Sequence, residues 1–251
     1  MSDLHLGVAE RSVERSFEQY LRSIASVVPT LVINGDLFDF WFEWESVIPR
    51  RGFRTLAALA ELREAGTDIL YIAGNHDCWG GNVLRSDVGV QYHVGAWEGE
   101  IGGWRTRIEH GDGLRDVEDR KYRMVRPIMR SPLAIRLFRR LHPDFATRIA
   151  TGSSHASRTY QPRDHGSGLR AVAERTLAAN PSLELLVYGH SHVSALERMS
   201  SGNVYANAGS WLDAPTYLAV TPERIALRTW LGSAEGPDLH ALDRRAEEAT
   251  A

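Results

Sequence analysis

The sequence predicts a layered α/β domain with its chemistry gathered at one end of the strands. Two patterns carry that expectation. Short apolar runs of strand length alternate with segments of helical period, the order that lays helices against a sheet. Residues able to bind metals or phosphate cluster just past those runs, where layered α/β folds build their sites.

Taken in order, the chain opens "MSDLHLG", which places Asp3 and His5 ahead of any regular element. A helical period spans Val13 to Val28, and the apolar run Leu31 to Ile33 leads into "NGDLFDFW". A second helix is expected over Arg51 to Ala65, then a strand over Ile69 to Ala73 that leads into "GNHD". "RIEHGD" brings His110. The alternation then stops: Arg115 to Arg148 holds ten Arg or Lys against four Asp or Glu, a net +6 within a chain of net charge -3. Here Leu133, Leu137 and Leu141 recur at i, i+4 and i+8, with Ile135 and Phe138 widening the face and Arg136, Arg139 and Arg140 among them, which predicts a basic amphipathic helix. The rhythm resumes with a helix over Gly168 to Ala179 and a strand over Leu183 to Tyr188 running into "GHSH". Strands follow over Val204 to Ala206 and Tyr217 to Val220. From about Ser233 the chain is polar and charged, and a disordered tail is expected.

Composition narrows the class. A chain of 251 residues can bury one substantial core, and 43% hydrophobic with 24% charged residues is ordinary for a globular protein. No apolar run approaches the roughly 18 to 20 residues of a membrane span, and the first residues do not resemble a signal peptide, so a cytoplasmic protein is expected. One cysteine, Cys78, excludes an internal disulfide and reads as a packed small side chain. The negative net charge argues against a general nucleic-acid binder. Nothing in the sequence specifies an oligomeric state.

Seven groups follow the strands: Asp3, His5, Asp36, Asn75, His110, His190 and His192. The pairs Asp3/His5 and His190/His192 are spaced i, i+2, so an extended backbone would turn both members to one side. An Asp-x-His or a Gly-Asp is common by chance, but five such elements in one order, each past a strand, predict a metal site. Oxygen and nitrogen donors without a thiolate favour Mn, Fe, Zn, Co or Mg. Seven ligands exceed one tetrahedral ion and suit two, about 4 Å apart with Asp36 between them, the arrangement used to hydrolyse phosphoesters. Asn34 and Asp39 read as supports for these ligands rather than as ligands themselves.

"SDLHLG", "GDLFDFW", "GNHD", "HGD" and "GHSH" resemble, in order, the five-block signature of the calcineurin-like metallophosphoesterases. Within that superfamily the chain looks most like the UDP-2,3-diacylglucosamine diphosphatases of lipid A biosynthesis, through "GDLFDFW" and "HGDGLRDVEDRKY", followed by "LFRRLHPDFATRIA" and "SSHASR". The resemblance implies a β-sandwich flanked by helices, in one domain over residues 1–251, with a helical lid inserted at about 115–165. It implies one metal on Asp3, His5, Asp36 and His192 and a second on Asp36, Asn75, His110 and His190, with manganese the expected ion. Asp36 and His76 would serve catalysis. Asn75, His76, Asp119, Tyr122, Ser157, Arg158 and His190 would contact substrate. The implied reaction cleaves the pyrophosphate of a UDP-linked diacylglucosamine to UMP and a lipid monophosphate, with the basic lid resting on the inner membrane surface. A soluble phosphodiesterase, nuclease or protein phosphatase is the alternative on the same core, and a non-enzymatic scaffold would lack ligands that are present here.

Two departures from the family are visible. The lipid-pathway members best known carry arginine after "GN", where this chain has His76, a residue that can also donate a proton. An apolar strand normally precedes the Asp-x-His pair, whereas only Met1 and Ser2 stand before it, so its codons are expected upstream, with Asp3 and His5 meanwhile held only by metals and covering neighbours.

Overall fold

The computed structural model describes residues 1–159 and 164–244, the side chains of 153–159 excepted. Two sheets pack face to face. The first holds three parallel strands, β1 (Thr30–Asn34), β2 (Asp68–Ile72) and β3 (Gln91–His93), in that order. The second has the order β4-β5-β6-β8-β7, from β4 (Trp97–Ile101), β5 (Trp104–Ile108), β6 (Leu185–Tyr188), β7 (Ser194–Arg198) and β8 (Val204–Ala208). An antiparallel group, β9 (Thr216–Val220), β10 (Arg224–Thr229) and β11 (Asp238–Asp243), completes the layers.

Period-two side chains explain why these runs are strands. In β1 and β2, Leu31, Ile33, Ile69 and Tyr71 enter the main core beneath α1 (Arg11–Ile24) and α2 (Phe53–Glu64), while Val32, Leu70 and Ile72 point the other way and meet Ile108 and Val187 of the second sheet. In β6 and β8, Leu186, Tyr188 and Tyr205 pack with α6 (Ser167–Ala179), and Leu185, Val204 and Ala206 meet Ile225 and Leu227 of β10. The expected β-sandwich flanked by helices is therefore the observed fold. α1 stops at Ile24, short of the expected Val28, because Ser26 is left-handed (φ +59) and Pro29 follows.

Between β5 and α6 lie α3 (Arg120–Met129), α4 (Pro132–Phe138) and α5 (Pro143–Thr159). The single amphipathic helix expected through Leu141 is cut at Phe138, because Pro143 opens the next helix and biases the residue before it away from the helical region. Its apolar face divides. Ile135, Phe138 and Leu141 pack on Phe40, Phe42 and Trp44, whereas Leu133 and Leu137 are 63% and 56% exposed. Of the tail expected to be disordered from about Ser233, the described part is corrected, since 238–243 form β11, paired to β10 and braced by Arg224 and Arg228 on Asp238; 245–251 lie outside the described residues. No helix among the described residues is long and apolar enough to cross a membrane.

The opening residues are built into the fold rather than held by covering neighbours alone. On one side Asn34 N donates to Met1 O (2.9 Å), Asp3 N to Gly35 O (3.1 Å), His5 N to Asp36 O (2.9 Å) and Leu6 N to Leu37 O (2.8 Å). On the other, Trp211 N donates to Ser2 O and Leu212 N to Asp3 O, both at 3.2 Å. Leu4 and Leu6 are buried in the main core. Leu4, at 0% exposure, gives the check: Leu4→Ala is expected to lower unfolding free energy in denaturant by about 2 to 5 kcal/mol, and a loss under ~0.5 kcal/mol would mean this segment is not packed.

Candidate metal centre

Asp36, Asn75, His110, His190 and His192 sit on turns past strand ends, Asp3 and His5 lie in the opening segment ahead of any regular element, and the backbone at most of these positions is unusual. Among the described residues, seven other than glycine have positive φ, and they include Asp3 (+56), His5 (+50), Asp36 (+52), His190 (+60) and His192 (+59). The i, i+2 pairs do face one site, but through left-handed turns rather than the extended backbone the spacing suggests. Such conformations cost of order 1 to 3 kcal/mol each and persist only where surrounding bonds impose them. Two glycines make room. A Cβ on Gly74 would stand 2.7 Å from the Asp36 amide nitrogen and also strike its carboxylate; one on Gly35 would stand 2.8 Å from Gly74 Cα.

The side chains converge in two groups. Asp3, His5 and His192 present donor atoms within 4.8 Å of one another, as do Asp36, His110 and His190. His5 Nε2 and His192 Nε2 are 3.2 Å apart, and His192 Nε2 is 3.5 Å from Asp3 Oδ1. His110 Nε2 stands 3.2 Å from Asp36 Oδ2 and 4.0 Å from Asp3 Oδ1, so the groups adjoin. Asp3 Oδ1 and Asn75 Oδ1 are buried and make no hydrogen bond, a costly state for two oxygens that cations would relieve. The donor set and these orphaned atoms fit a pair of divalent ions.

Neighbouring groups fix the imidazoles. His110 Nδ1 donates to the Asn34 carbonyl at 2.8 Å and His76 Nδ1 to the Asp39 carbonyl at 2.9 Å, so both turn Nε2 inward. The support from Asn34 and Asp39 thus comes through main-chain oxygens. His192 Nδ1 lies 3.3 Å from Asp213 Oδ2, a partner for which the sequence carried no signal beyond a nearby acid. Burial opposes the charged form of Asp36, but His110 and His76 hold its carboxyl well below the usual range. Burial raises Asp3, and burial followed by the charge on Asp36 pushes Asp77 up to about 6. Asp77 ties the two central loops, accepting from Leu37 N (2.8 Å), Gly74 N (2.8 Å) and Tyr71 OH (2.5 Å). Burial drives the Cys78 thiol up to about 12, which leaves it a packing group.

His76 Nε2 stands 3.9 Å from Asp36 Oδ2 without joining either group of ligands, although it also meets His5 and Asp39. The lid residues are arranged otherwise than as free substrate contacts. Asp119 is buried and gripped by Arg115 (Nη2 at 2.7 Å, Nε at 3.1 Å), and its Oδ1 is 4.0 Å from His190 Nε2. Tyr122 OH donates to Asp112 Oδ2 at 2.7 Å, which also takes Arg130 Nη2 at 2.9 Å. Arg115 lies four residues before Asp119 in the turn that leads into α3. Ser157 and Arg158 fall on the last turns of α5, where side chains lie outside the described residues.

Residues 1–194 match the family described as calcineurin-like phosphoesterase, and the chain belongs to that family of metal-dependent hydrolases. More particularly, it is 28% identical over 237 residues to a UDP-2,3-diacylglucosamine hydrolase of Porphyromonas gingivalis, covering 86% of this chain and 90% of that one. It is 29% identical to the protein of the same name from Ralstonia nicotianae, over 80% of this chain and 79% of that one. Among solved structures, Vacuolar Protein Sorting 29 from Cryptosporidium parvum aligns with a TM-score of 0.50 at 12% identity, over 97% of this chain and 96% of that one, a likeness of fold alone.

Asp36→Ala is expected to leave a folded protein with neither metal at full occupancy, measured by elemental analysis after loading; two full equivalents in an active variant would remove Asp36 from its bridging place. Gly74→Ala should lose metal as well and cost about 1 to 3 kcal/mol of stability, since the added methyl has nowhere to go.

Proposed function

We propose that this protein hydrolyses the pyrophosphate of a UDP-linked diacylglucosamine, releasing UMP and a lipid monophosphate. One divalent ion is taken by Asp3, His5, Asp36 and His192 and a second by Asp36, Asn75, His110 and His190, with Mn²⁺ the preferred ion. The observation that carries the reading is the meeting of orphaned, buried metal donors with a lid whose apolar side chains remain exposed. Metal ions bound there would polarise the phosphoryl oxygens and activate the attacking water.

The chain's own groups supply the rest. His76, with Nδ1 committed to Asp39 O, points Nε2 toward the reacting phosphate, where it donates to an oxygen gaining charge. Asn75 and His190 border the same position. Asp119 and Tyr122 contact substrate only if they exchange Arg115 and Asp112 for it; in their present pairing they brace the lid against His190. Phe40, Phe42, Trp44 and Phe138 form an aromatic floor beneath α4 suited to acyl chains. Met124, Ile128, Leu133, Leu137 and Phe145 are exposed among Arg123, Arg136 and Arg140, a composition suited to an anionic membrane surface.

The deciding assay compares a UDP-linked diacylglucosamine with cyclic nucleotides, DNA and a generic diester under Mn²⁺. Preference for the lipid supports the reading, and preference for any of the others replaces it. His76→Ala should lower turnover by roughly 10² to 10⁴ with metal content unchanged; loss of a metal ion would make it a ligand. Leu133→Glu with Leu137→Glu should raise KM for the diacylated substrate and weaken sedimentation with anionic vesicles, and unchanged values for both would detach the lid from the lipid.

A further inference from the structure

A cleft of about 730 Å³ opens between the starts of α1 and α2. Arg11 and Arg15 line it from α1, and Arg50, Arg51 and Arg54 from the loop and first turn of α2; only two carboxylates, Glu14 and Glu18, stand among them. Several arginines elsewhere are paired, as Arg63 is with Asp68, Arg107 with Glu98 and Arg244 with Glu184. None of the five cleft arginines forms an ion pair among the described residues, so five positive charges share one concavity with only two carboxylates. The residues that open α2, Gly52 to Thr55, line the same cleft; no side chain caps them, which adds the positive end of a helix to the arginines. Phe53 beside them is 69% exposed.

The cleft also shares a wall with the metal centre. Arg51 donates to the Gly7 carbonyl, and Gly7 belongs to the turn in which Val8 N and Ala9 N both donate to His5 O. A Cβ on Gly7 would stand 3.3 Å from Arg51 and 3.9 Å from Asp39, whose carboxylate is 4.0 Å from His5.

We propose that this cleft is a second anion site, separate from the two metals, that binds the phosphate groups of a polyanion through Arg11, Arg15, Arg50 and Arg54 and the open end of α2. These four arginines line one concavity, and guanidinium is the side chain best matched to phosphate oxygens. The phosphate comes either from a free phosphorylated solute or from the headgroup of a membrane lipid, which Phe53 would accompany at the bilayer surface.

The test titrates the Mg²⁺-loaded protein with pyrophosphate by calorimetry, before and after dialysis against EDTA. Binding that survives EDTA and weakens by about tenfold or more in an Arg50→Gln/Arg54→Gln variant is the expected result; both residues are exposed, and an unchanged melting temperature confirms that the variant folds. Binding abolished by EDTA and unaltered by the two substitutions overturns the site. Sedimentation with phosphatidylglycerol and phosphatidylcholine vesicles then separates the sources. Weaker sedimentation of the variant with phosphatidylglycerol alone assigns the site to lipid headgroups, and equal sedimentation beside lost pyrophosphate binding assigns it to a free solute. The readout is binding, so it stands whether or not the lipid substrate is hydrolysed.

Discussion

A carboxylate taken out of water must be surrounded by positive charge, and the centre of this molecule is arranged around that demand at Asp36. Its Oδ2 faces His110 Nε2 at 3.2 Å and His76 Nε2 at 3.9 Å, and its Oδ1 accepts from the His76 amide at 3.0 Å. Charge alone would not assemble this. Asp36 is brought there by a left-handed residue on a turn that Asp77 clamps from below and that the opening segment clamps from the side. Displacing any one of these would leave a buried charge short of partners, the costliest defect a core can carry.

The division of labour between strands and turns follows. Strands β1, β2, β6 and β8 are almost wholly apolar because both faces are covered, so they have no side chains to offer chemistry. Chemistry is delegated to the few residues past each strand end, where main-chain bonds to neighbouring loops replace the sheet ladder. The lid is held by the same device. Asp112, two residues beyond His110, collects Tyr122 and Arg130, and Asp119 collects Arg115 while approaching His190. Lid and metal centre are therefore joined through charged groups as well as through the packing of Ile135, Phe138 and Leu141 on Phe40, Phe42 and Trp44.

Most of the centre was legible in the sequence because Asp36, Asn75 and His190 are each flanked by a glycine and preceded by an apolar run, and His110 is flanked by Gly111. The buried strands were legible for the same reason. Strands with one wet face were not: "WEGEI" and "WRTRI" of β4 and β5 alternate polar with apolar side chains, and only the Gly102-Gly103 turn between them marks a hairpin. β11 was hidden because its pairing rests on main-chain bonds and arginine-carboxylate contacts, which composition does not reveal. The anchoring roles of Asp77, Asp112, Arg115 and Asp213 were equally invisible, since a carboxylate or guanidinium that braces another side chain looks in sequence like any surface charge.

The way Asp3 is held bears on how the molecule is made. Ser2 Oγ bonds to Gly209 O and Ser210 Oγ to Asp3 O, each across 207 residues, and Asp3 Oδ2 accepts from His190 N across 187. Contacts across 207 and 187 residues close long loops, and closure of that length makes their docking a late and slow event in folding. Leu4 and Leu6 enter a core that Phe17, Leu21, Ile33 and Phe38 largely supply, but until the long loop closes His192 is missing from its group and the centre is incomplete. The group Asp3, His5 and His192 is therefore assembled only when the chain closes upon itself, so its donors come together with the tertiary fold and not before it.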